Sequence, residues 1–259
     1  MSSQNLRVTL IQSNLHWENI DANLSMFEQK ISSVENTDVI LLPEMFSTGF
    51  SMRPELFAEE MIGRTIEWMK NISAKKNVVL CGSAMIKDSG KYFNRLIWMQ
   101  PDGIFFSYDK RHLFRMGEEN NHYSSGSQKI IVEWIGWKIC PLVCYDLRFP
   151  VWSRNTENYD LLLYLANWPE RRIHAWKSLL VARAIENQCY TIGLNRVGED
   201  GNKIYHSGDS SVIDMKGEIF FQKSHDEIIH TIELSKSNLA SYRKEFPVLL
   251  DRDEFDLKY

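Results

Sequence analysis

The chain has 259 residues, 44% of them hydrophobic and 25% charged, with a formal net charge of −4. Those proportions are those of an ordinary globular protein with enough apolar material for a sizeable core. Lys and Arg scattered along a mildly acidic chain exclude the basic footprint of a nucleic-acid binder, and nothing suggests attraction to an anionic membrane.

Met1–Arg7 lacks the apolar core and cleavage site of a signal peptide, and the longest apolar run, Leu161–Ala166, is far too short to span a bilayer. The cysteines, Cys81, Cys140, Cys144 and Cys189, show no zinc-type pairing. Without an export signal they are expected to be reduced and the compartment to be cytosol.

Leu6–Ile11 alternates as a strand. Asp21–Val34 has Leu24, Phe27, Ile31 and Val34 at helical spacing, with Asp21 as cap. Val39–Pro43 is a continuous apolar run suited to a strand covered on both faces, and it ends at Glu44. A helix is expected over Glu59–Lys75, with Ile62, Ile66, Met69 and Ile72 as its stripe. Val78–Ile86 reads as a strand, and Tyr92–Gln100 and Gly103–Tyr108 as strands about the turn Pro101-Asp102-Gly103. The second of these ends at Asp109-Lys110, and Met116–Gly126 follows as a loop.

Ile130–Trp134 and Trp137–Val143 flank Ile135-Gly136 as a hairpin whose second arm delivers Cys144. Asp160–Ala166 is a buried strand and Glu170–Asn187 an amphipathic helix. Tyr190–Asn195, Ser210–Asp214 and Ile228–Leu234 are strands, with turns at Asp200-Gly201 and Lys216-Gly217. The tail, Tyr242–Tyr259, carries Phe246, Leu249, Leu250 and Phe255 and is expected to pack on the body or on a partner subunit. No linker, repeat or low-complexity segment interrupts the alternation, which predicts one layered α/β or α+β domain over residues 1–259.

Three ionisable residues stand at the ends of strand-like runs: Glu44, Lys110 and Cys144. In layered α/β proteins sites form at strand ends. A carboxylate, an ammonium and a thiol suffice for acyl transfer. The carboxylate takes the thiol proton, the sulfur attacks a carbonyl or nitrile carbon, and the ammonium steadies the oxyanion. No histidine is required, and the seven histidines form no base motif.

These residues carry a resemblance. Leu41-Leu42-Pro43-Glu44-Met45-Phe46, Tyr108-Asp109-Lys110-Arg111-His112-Leu113-Phe114 and Val143-Cys144-Tyr145-Asp146-Leu147-Arg148-Phe149-Pro150 resemble, in order and rough spacing, the three motifs of the nitrilase superfamily of carbon–nitrogen hydrolases. The likeness continues through Ala182–Asn187 and His206-Ser207-Gly208. It implies a four-layer α-β-β-α sandwich, paired subunits (a homodimer), and no metal or organic cofactor. Asp109–Phe114, Trp152-Ser153-Arg154-Asn155 and Arg243–Leu249 resemble the omega-amidase branch. That branch implies hydrolysis of the terminal amide of 2-oxo acid amides such as 2-oxoglutaramate and 2-oxosuccinamate, giving the 2-oxo dicarboxylic acid and ammonia.

In that reading Cys144 is the nucleophile, favoured as thiolate by nearby Lys110. Glu44 is the general base and later the acid. Lys110 faces the oxyanion, with the backbone N–H of Tyr145 as second donor. A second family glutamate falls at Glu119, with Glu118 adjacent. For a distant substrate carboxylate the candidates are Arg148, Arg171 and Arg172, although Arg148 could instead brace Asp146. Trp168 could wall the pocket or serve the core, as could Met45, Phe46 and Phe50. His112, His174 and His206 read as hydrogen-bonded structural residues.

Other readings stay open: the same triad acting on deaminated glutathione, an N-carbamoyl amine or a nitrile, a non-catalytic dimeric scaffold, or a redox thiol pair formed by Cys140 and Cys144, which alternation would place on one face.

Overall fold

The computed structural model describes residues 5–257. In chain order its main elements are β1 (Leu6–Gln12), α1 (Ile20–Ser32), β2 (Val39–Leu41), α2 (Pro54–Phe57), α3 (Arg64–Lys76), β3 (Val79–Asp88), β4 (Lys91–Met99), β5 (Phe105–Asp109) and α4 (Glu119–His122). The second half adds β6 (Val132–Trp134), β7 (Trp137–Val143), α5 (Pro150–Ser153), β8 (Leu161–Ala166), α6 (Ile173–Asn187), β9 (Tyr190–Asn195), β10 (Val197–Glu199), β11 (Tyr205–Ile213), β12 (Ile219–Ser224), β13 (Ile228–Leu234) and α7 (Lys236–Glu245).

The strands form two sheets. One runs β13-β1-β2-β3-β4-β5, the other β10-β11-β9-β8-β7-β6, with β12 paired to β11. Strand alternation assigns the layers. Val8, Leu10, Val39, Leu41, Val79, Cys81, Leu96 and Trp98 join a core with β7, β8 and β9 of the other sheet. The intervening Ile11, Ile40, Leu80 and Ile97 pack with Phe27 and Ile31 of α1 and Ile66, Met69 and Ile72 of α3. Trp176, Leu180 and Ala184 place α6 in the core of the second sheet. The result is helix, sheet, sheet, helix, the four-layer sandwich implied by the resemblance.

Boundaries depart from expectation where local chemistry outweighed periodicity. The cap of α1 is Asn19, whose side chain accepts from the Ala22 N–H at 3.0 Å; Asp21 lies inside the first turn. The helix expected from Glu59 begins only at Arg64, after Gly63, and Ile62 is 87% exposed rather than on the buried stripe. The expected loop after Met116 contains α4. The helix expected from Glu170 starts as a 3-10 turn over Glu170–Arg172 and continues as α6. The strand expected at Ser210 begins at Tyr205, and β10 and β12 lack a clean sequence pattern.

Tail residues reach the body through polar bonds. Arg243 Nη1 donates to Asp160 Oδ1 at 3.2 Å, Gln188 Nε2 to Phe246 O at 2.7 Å and Arg252 Nη1 to Asn158 Oδ1 at 3.0 Å.

Candidate active site

Parallel strands β1-β2-β3 of one sheet and β7-β8-β9 of the other leave carboxyl ends from which polar residues emerge. Beyond β2 the backbone turns at Met45, φ 44°, and is tied to β3 by Met45 N–H on Ser83 Oγ at 2.8 Å and Phe46 N–H on Ser83 O at 3.0 Å. That anchorage fixes Glu44, which has no exposure. Lys110 follows β5, its N–H bonded to Asn94 O of β4 at 3.0 Å. Cys144 leaves β7 as the first residue of a 3-10 turn, at φ 44°. A non-glycine residue there is strained and persists only where its surroundings hold it.

The structure brings Glu44, Lys110, Glu119 and Cys144 together. Lys110 Nζ lies 2.8 Å from Glu44 Oε1 and 3.0 and 2.9 Å from the two oxygens of Glu119. Asn94 Nδ2 bridges the two carboxylates, at 2.8 Å from Glu44 Oε1 and 3.2 Å from Glu119 Oε1. Glu44 Oε2 accepts the Asn167 N–H at 2.8 Å, and Glu119 Oε2 accepts the Phe114 N–H at 2.6 Å. The Cys144 thiol stands beside Glu44, near enough for the carboxylate charge to act on it. Lys110 also lies over the Phe50 ring, 5.1 Å from its centre.

The electrostatics follow from burying these charges together. Burial alone would lower the Lys110 pKa, but the charges of Glu119 and Glu44 outweigh it and hold the ammonium above the usual lysine range. Burial pushes the Glu119 carboxyl up, with Lys110 opposing and Glu44 adding. For Cys144 burial comes first and the Glu44 charge second, and together they keep the thiol well above its ordinary value despite Lys110. The expected thiolate is therefore corrected. Burial and the Glu44 charge favour the protonated thiol at rest, beside a carboxylate.

Cys144 and Lys110 line a pocket walled by Phe50, Phe114, Tyr145, Trp168 and His206, with Arg148, Arg171 and Arg172 around it. Arg148 lies over Trp168 at 5.1 Å and Arg172 over Phe114 at 4.7 Å, while Arg171 is exposed. Among the described residues no carboxylate forms an ion pair with any of these three arginines. Arg148 does not brace Asp146, whose partners are Tyr108, His112 and the Val143 N–H. Trp168 serves both wall and core, its ring 5.4 Å from that of Trp176. Met45 and Phe46 are fully buried away from the pocket, whereas Phe50 lines it.

Of the two adjacent glutamates, Glu118 is exposed at φ 59° and Glu119 is the one buried on Lys110. Cys140 is fully buried within β7, and all four cysteines are free. Cys144 stands in the turn, not on the strand, so alternation does not set the two thiols on one face. His112 is bonded to Asp146, His174 is exposed, and His206 lies buried on the pocket wall with Nδ1 unpartnered.

Sequence reasoning missed Asn94 and Asn167. Asn94 left a signal, a polar residue inside the apolar run of β4. Asn167 acts on Glu44 through its backbone N–H, and no side-chain pattern reports that.

The sequence pattern of the carbon-nitrogen hydrolase family matches residues 7–244. The chain is 46% identical over 254 residues to Omega-amidase YafV of Escherichia coli strain K12, covering 97% of this chain and 98% of the relative. It is 34% identical over 224 residues to the 2-oxoglutaramate amidase of Bacillus subtilis, covering 84% and 85%. Among solved structures it is similar to XC1258 from Xanthomonas campestris, described as a CN-hydrolase superfamily protein with an arsenic adduct in the active site. The TM-score is 0.96 and the identity 41%, over 98% of this chain and 100% of that one.

Proposed function

Because the chain belongs to the carbon–nitrogen hydrolase family and is a hydrolase of carbon–nitrogen bonds, we propose that it acts as an omega-amidase. It cleaves the terminal amide of 2-oxo acid amides, 2-oxoglutaramate and 2-oxosuccinamate, to the 2-oxo dicarboxylic acid and ammonia. Similarity to the YafV omega-amidases and to a 2-oxoglutaramate amidase supports this branch. The observation that carries it is the pocket itself. A thiol beside a carboxylate lies at one side, and three arginines without carboxylate partners surround the rest. A neutral amide suits the first and a carboxylate the second, since guanidinium binds carboxylate in a two-pronged fork.

The reaction follows from the hydrogen bonds. As the Cys144 sulfur attacks the amide carbon, its proton passes to Glu44, so a full thiolate need not form first. The carbonyl oxygen becomes an oxyanion opposite Lys110 and the backbone N–H of Tyr145. Lys110 stays charged throughout because two carboxylates hold its proton. Glu44 then protonates the nitrogen, the C–N bond breaks, and ammonia leaves behind a thioester. Water enters, gives a proton to Glu44 and attacks the thioester carbon. The C–S bond breaks, Glu44 returns the proton to sulfur, and the acid departs. Glu119 takes no proton and holds Lys110 in place.

Two coarser features belong to the same reading. Val151, Ile185, Phe246 and Leu250 are exposed apolar side chains on neighbouring elements joined by the bonds of Arg154 to Glu186 O and Gln188 to Phe246 O, and they support the reading that the chain pairs with a second copy. The free thiols suit a cytosolic enzyme, and no helix among the described residues is long and apolar enough to cross a membrane.

The test is ammonia release from 2-oxoglutaramate beside glutamine, an N-carbamoyl amine and a simple nitrile, for wild type and Cys144→Ala. Preference for 2-oxoglutaramate, abolished in the folded variant, is the expected result. Turnover of only another compound would move the specificity elsewhere in the family, and a fully active Cys144→Ala would end the thioester mechanism.

A further inference from the structure

Asp146 stands two residues beyond Cys144 and its carboxylate has no exposure. Oδ1 accepts the backbone N–H of His112 at 3.0 Å and lies 2.8 Å from His112 Nδ1. Oδ2 accepts the hydroxyl of Tyr108 at 2.8 Å and the backbone N–H of Val143 at 3.1 Å. Lys110 lies between Tyr108 and His112 in the chain, and Cys144 lies between Val143 and Asp146. One carboxylate therefore fastens the residues flanking the ammonium to the residues flanking the thiol.

The surroundings stiffen that fastening. Tyr108 Oη accepts the Arg111 N–H at 3.1 Å and Trp152 Nε1–H at 3.0 Å. Burial, and then the charge of Asp146, keep the Tyr108 hydroxyl protonated, so it remains the donor. The His112 ring stacks on Phe149 with centres 3.7 Å apart and planes 6° from parallel. Phe149 closes the same turn that begins at Cys144.

We propose that Asp146 is a positioning residue for amide hydrolysis: by clamping Tyr108 and His112 to the Cys144 turn, it sets where the Lys110 ammonium stands relative to the attacking sulfur. The inference rests on the reading of Cys144 as nucleophile and Lys110 as oxyanion donor. Two physical features single out a carboxylate here. Four donors converge on it, and an ionised carboxylate has four lone-pair sites and no hydrogen of its own. Asparagine, though equal in shape, would turn its NH2 against the Val143 N–H in one orientation and against the His112 N–H in the other. Cys144 also holds a positive φ, which relaxes unless its neighbours fix it.

The two chemistries of the thiol separate this role from general structural support. Amide hydrolysis needs sulfur and ammonium in register, because an oxyanion forms. Alkylation by iodoacetamide displaces iodide at a saturated carbon and forms no oxyanion, so it needs the sulfur as thiolate but no oxyanion donor. A misplacement near 1 Å costs on the order of 100-fold in a positioned reaction.

The experiment uses full-length Asp146→Asn and Tyr108→Phe, each checked for fold by circular dichroism. It measures kcat and KM on the amide that wild type hydrolyses best, and the rate of Cys144 alkylation. For Asp146→Asn the expected result is a kcat loss of about 100-fold, KM within about threefold, and alkylation within about threefold of wild type. Tyr108→Phe, which removes one of the four donors, should show the same split at about tenfold. Asp146→Asn with kcat near wild type, or with kcat and alkylation falling by one common factor, overturns the proposal. Should Asp146→Asn fail to fold, the presence or absence of the split in Tyr108→Phe decides. A wild type that releases ammonia from no amide would remove the functional reading, and the basis of this one with it.

Discussion

Glu119 grips Lys110 with both carboxylate oxygens, 3.0 and 2.9 Å from Nζ, whereas Glu44 reaches the same nitrogen with Oε1 alone at 2.8 Å. The asymmetry separates two carboxylates that share one cation. Glu119 is committed to the lysine and to the Phe114 N–H. Glu44 stands beside the thiol and keeps Oε2 off the lysine, as the proposed exchange of the thiol proton requires.

Glu119→Gln should therefore leave the thiol and its base in place but loosen the ammonium. We expect kcat to fall on the order of 100-fold, as when one oxyanion stabiliser is disturbed, with a smaller change in KM. The sign of the pH effect follows from the balance at Lys110. Glu119 is the larger of the two charges holding the ammonium above its usual range against burial. Removing it lowers the lysine pKa, so the alkaline limb of kcat/KM should move to lower pH. An alkaline limb that stays in place would mean that Glu119 does not hold the lysine proton.

The Cys144 thiol should behave as a reluctant nucleophile toward simple alkylating agents. Its folded pKa is raised, by burial first and then by Glu44, so it is protonated through the neutral range. Iodoacetamide modification of Cys144 should still be accelerating above pH 9, the ordinary value for a thiol, whereas hydrolysis should proceed at neutral pH if, as proposed, Glu44 takes the proton during attack. Glu44→Gln removes the second cause of the raised pKa along with the base. It should shift the alkylation profile toward lower pH while abolishing turnover. A wild-type alkylation rate that levels off near pH 7 would contradict a protonated resting thiol.

The layered fold was legible because its strands carry their pattern locally. In β2, Val39, Ile40 and Leu41 are apolar on both faces, and each face meets a different layer. Glu44, Lys110 and Cys144 were legible because each ends such a run. What stayed hidden depends on backbone geometry or on distant pairing. Glu118 and Glu119 are equivalent in sequence, and only the left-handed φ of Glu118 decides which one turns inward. The protonation of Cys144 depends on Glu44 lying closer in effect than Lys110, which no spacing conveys. Arg148, near Asp146 in sequence, lies on Trp168 because Tyr108 and His112 already fill the Asp146 acceptors.

Arg172 is half-buried and packed on Phe114 at 4.7 Å. Burial, and then the charge of Arg171, lower its pKa, a sign that cations are crowded there without a carboxylate to offset them. A substrate carboxylate would relieve that crowding. Arg172→Met should raise KM for 2-oxoglutaramate by about 10- to 100-fold, the scale of one charge-assisted hydrogen bond of roughly 1.5–3 kcal/mol. Turnover of a neutral amide such as butyramide should change little. Equal losses on both substrates would place Arg172 in the scaffold of the pocket, not in recognition of the acid.

His206 gives a stability prediction with a definite sign. It is 2% exposed, and burial first, then the charge of Arg196, lower its pKa from 6.5 to about 3. Above pH 6.5 the ring is neutral in both folded and unfolded chains, and its contribution to stability is fully present. As pH falls below 6.5 the unfolded chain takes up a proton that the folded chain refuses until about 3. Between those values stability is lost at up to roughly 1.4 kcal/mol for each pH unit from this residue alone. His206→Gln keeps a polar side chain without the titration. Its stability at pH 7 falls through altered packing, but its slope between pH 6.5 and 4 should be shallower than wild type by about one proton. Urea midpoints of the two proteins measured across that window give the comparison. Parallel slopes would show that the folded ring takes up its proton over the same pH range as the unfolded one, and a cation on the pocket wall would then join the arginines at mildly acid pH.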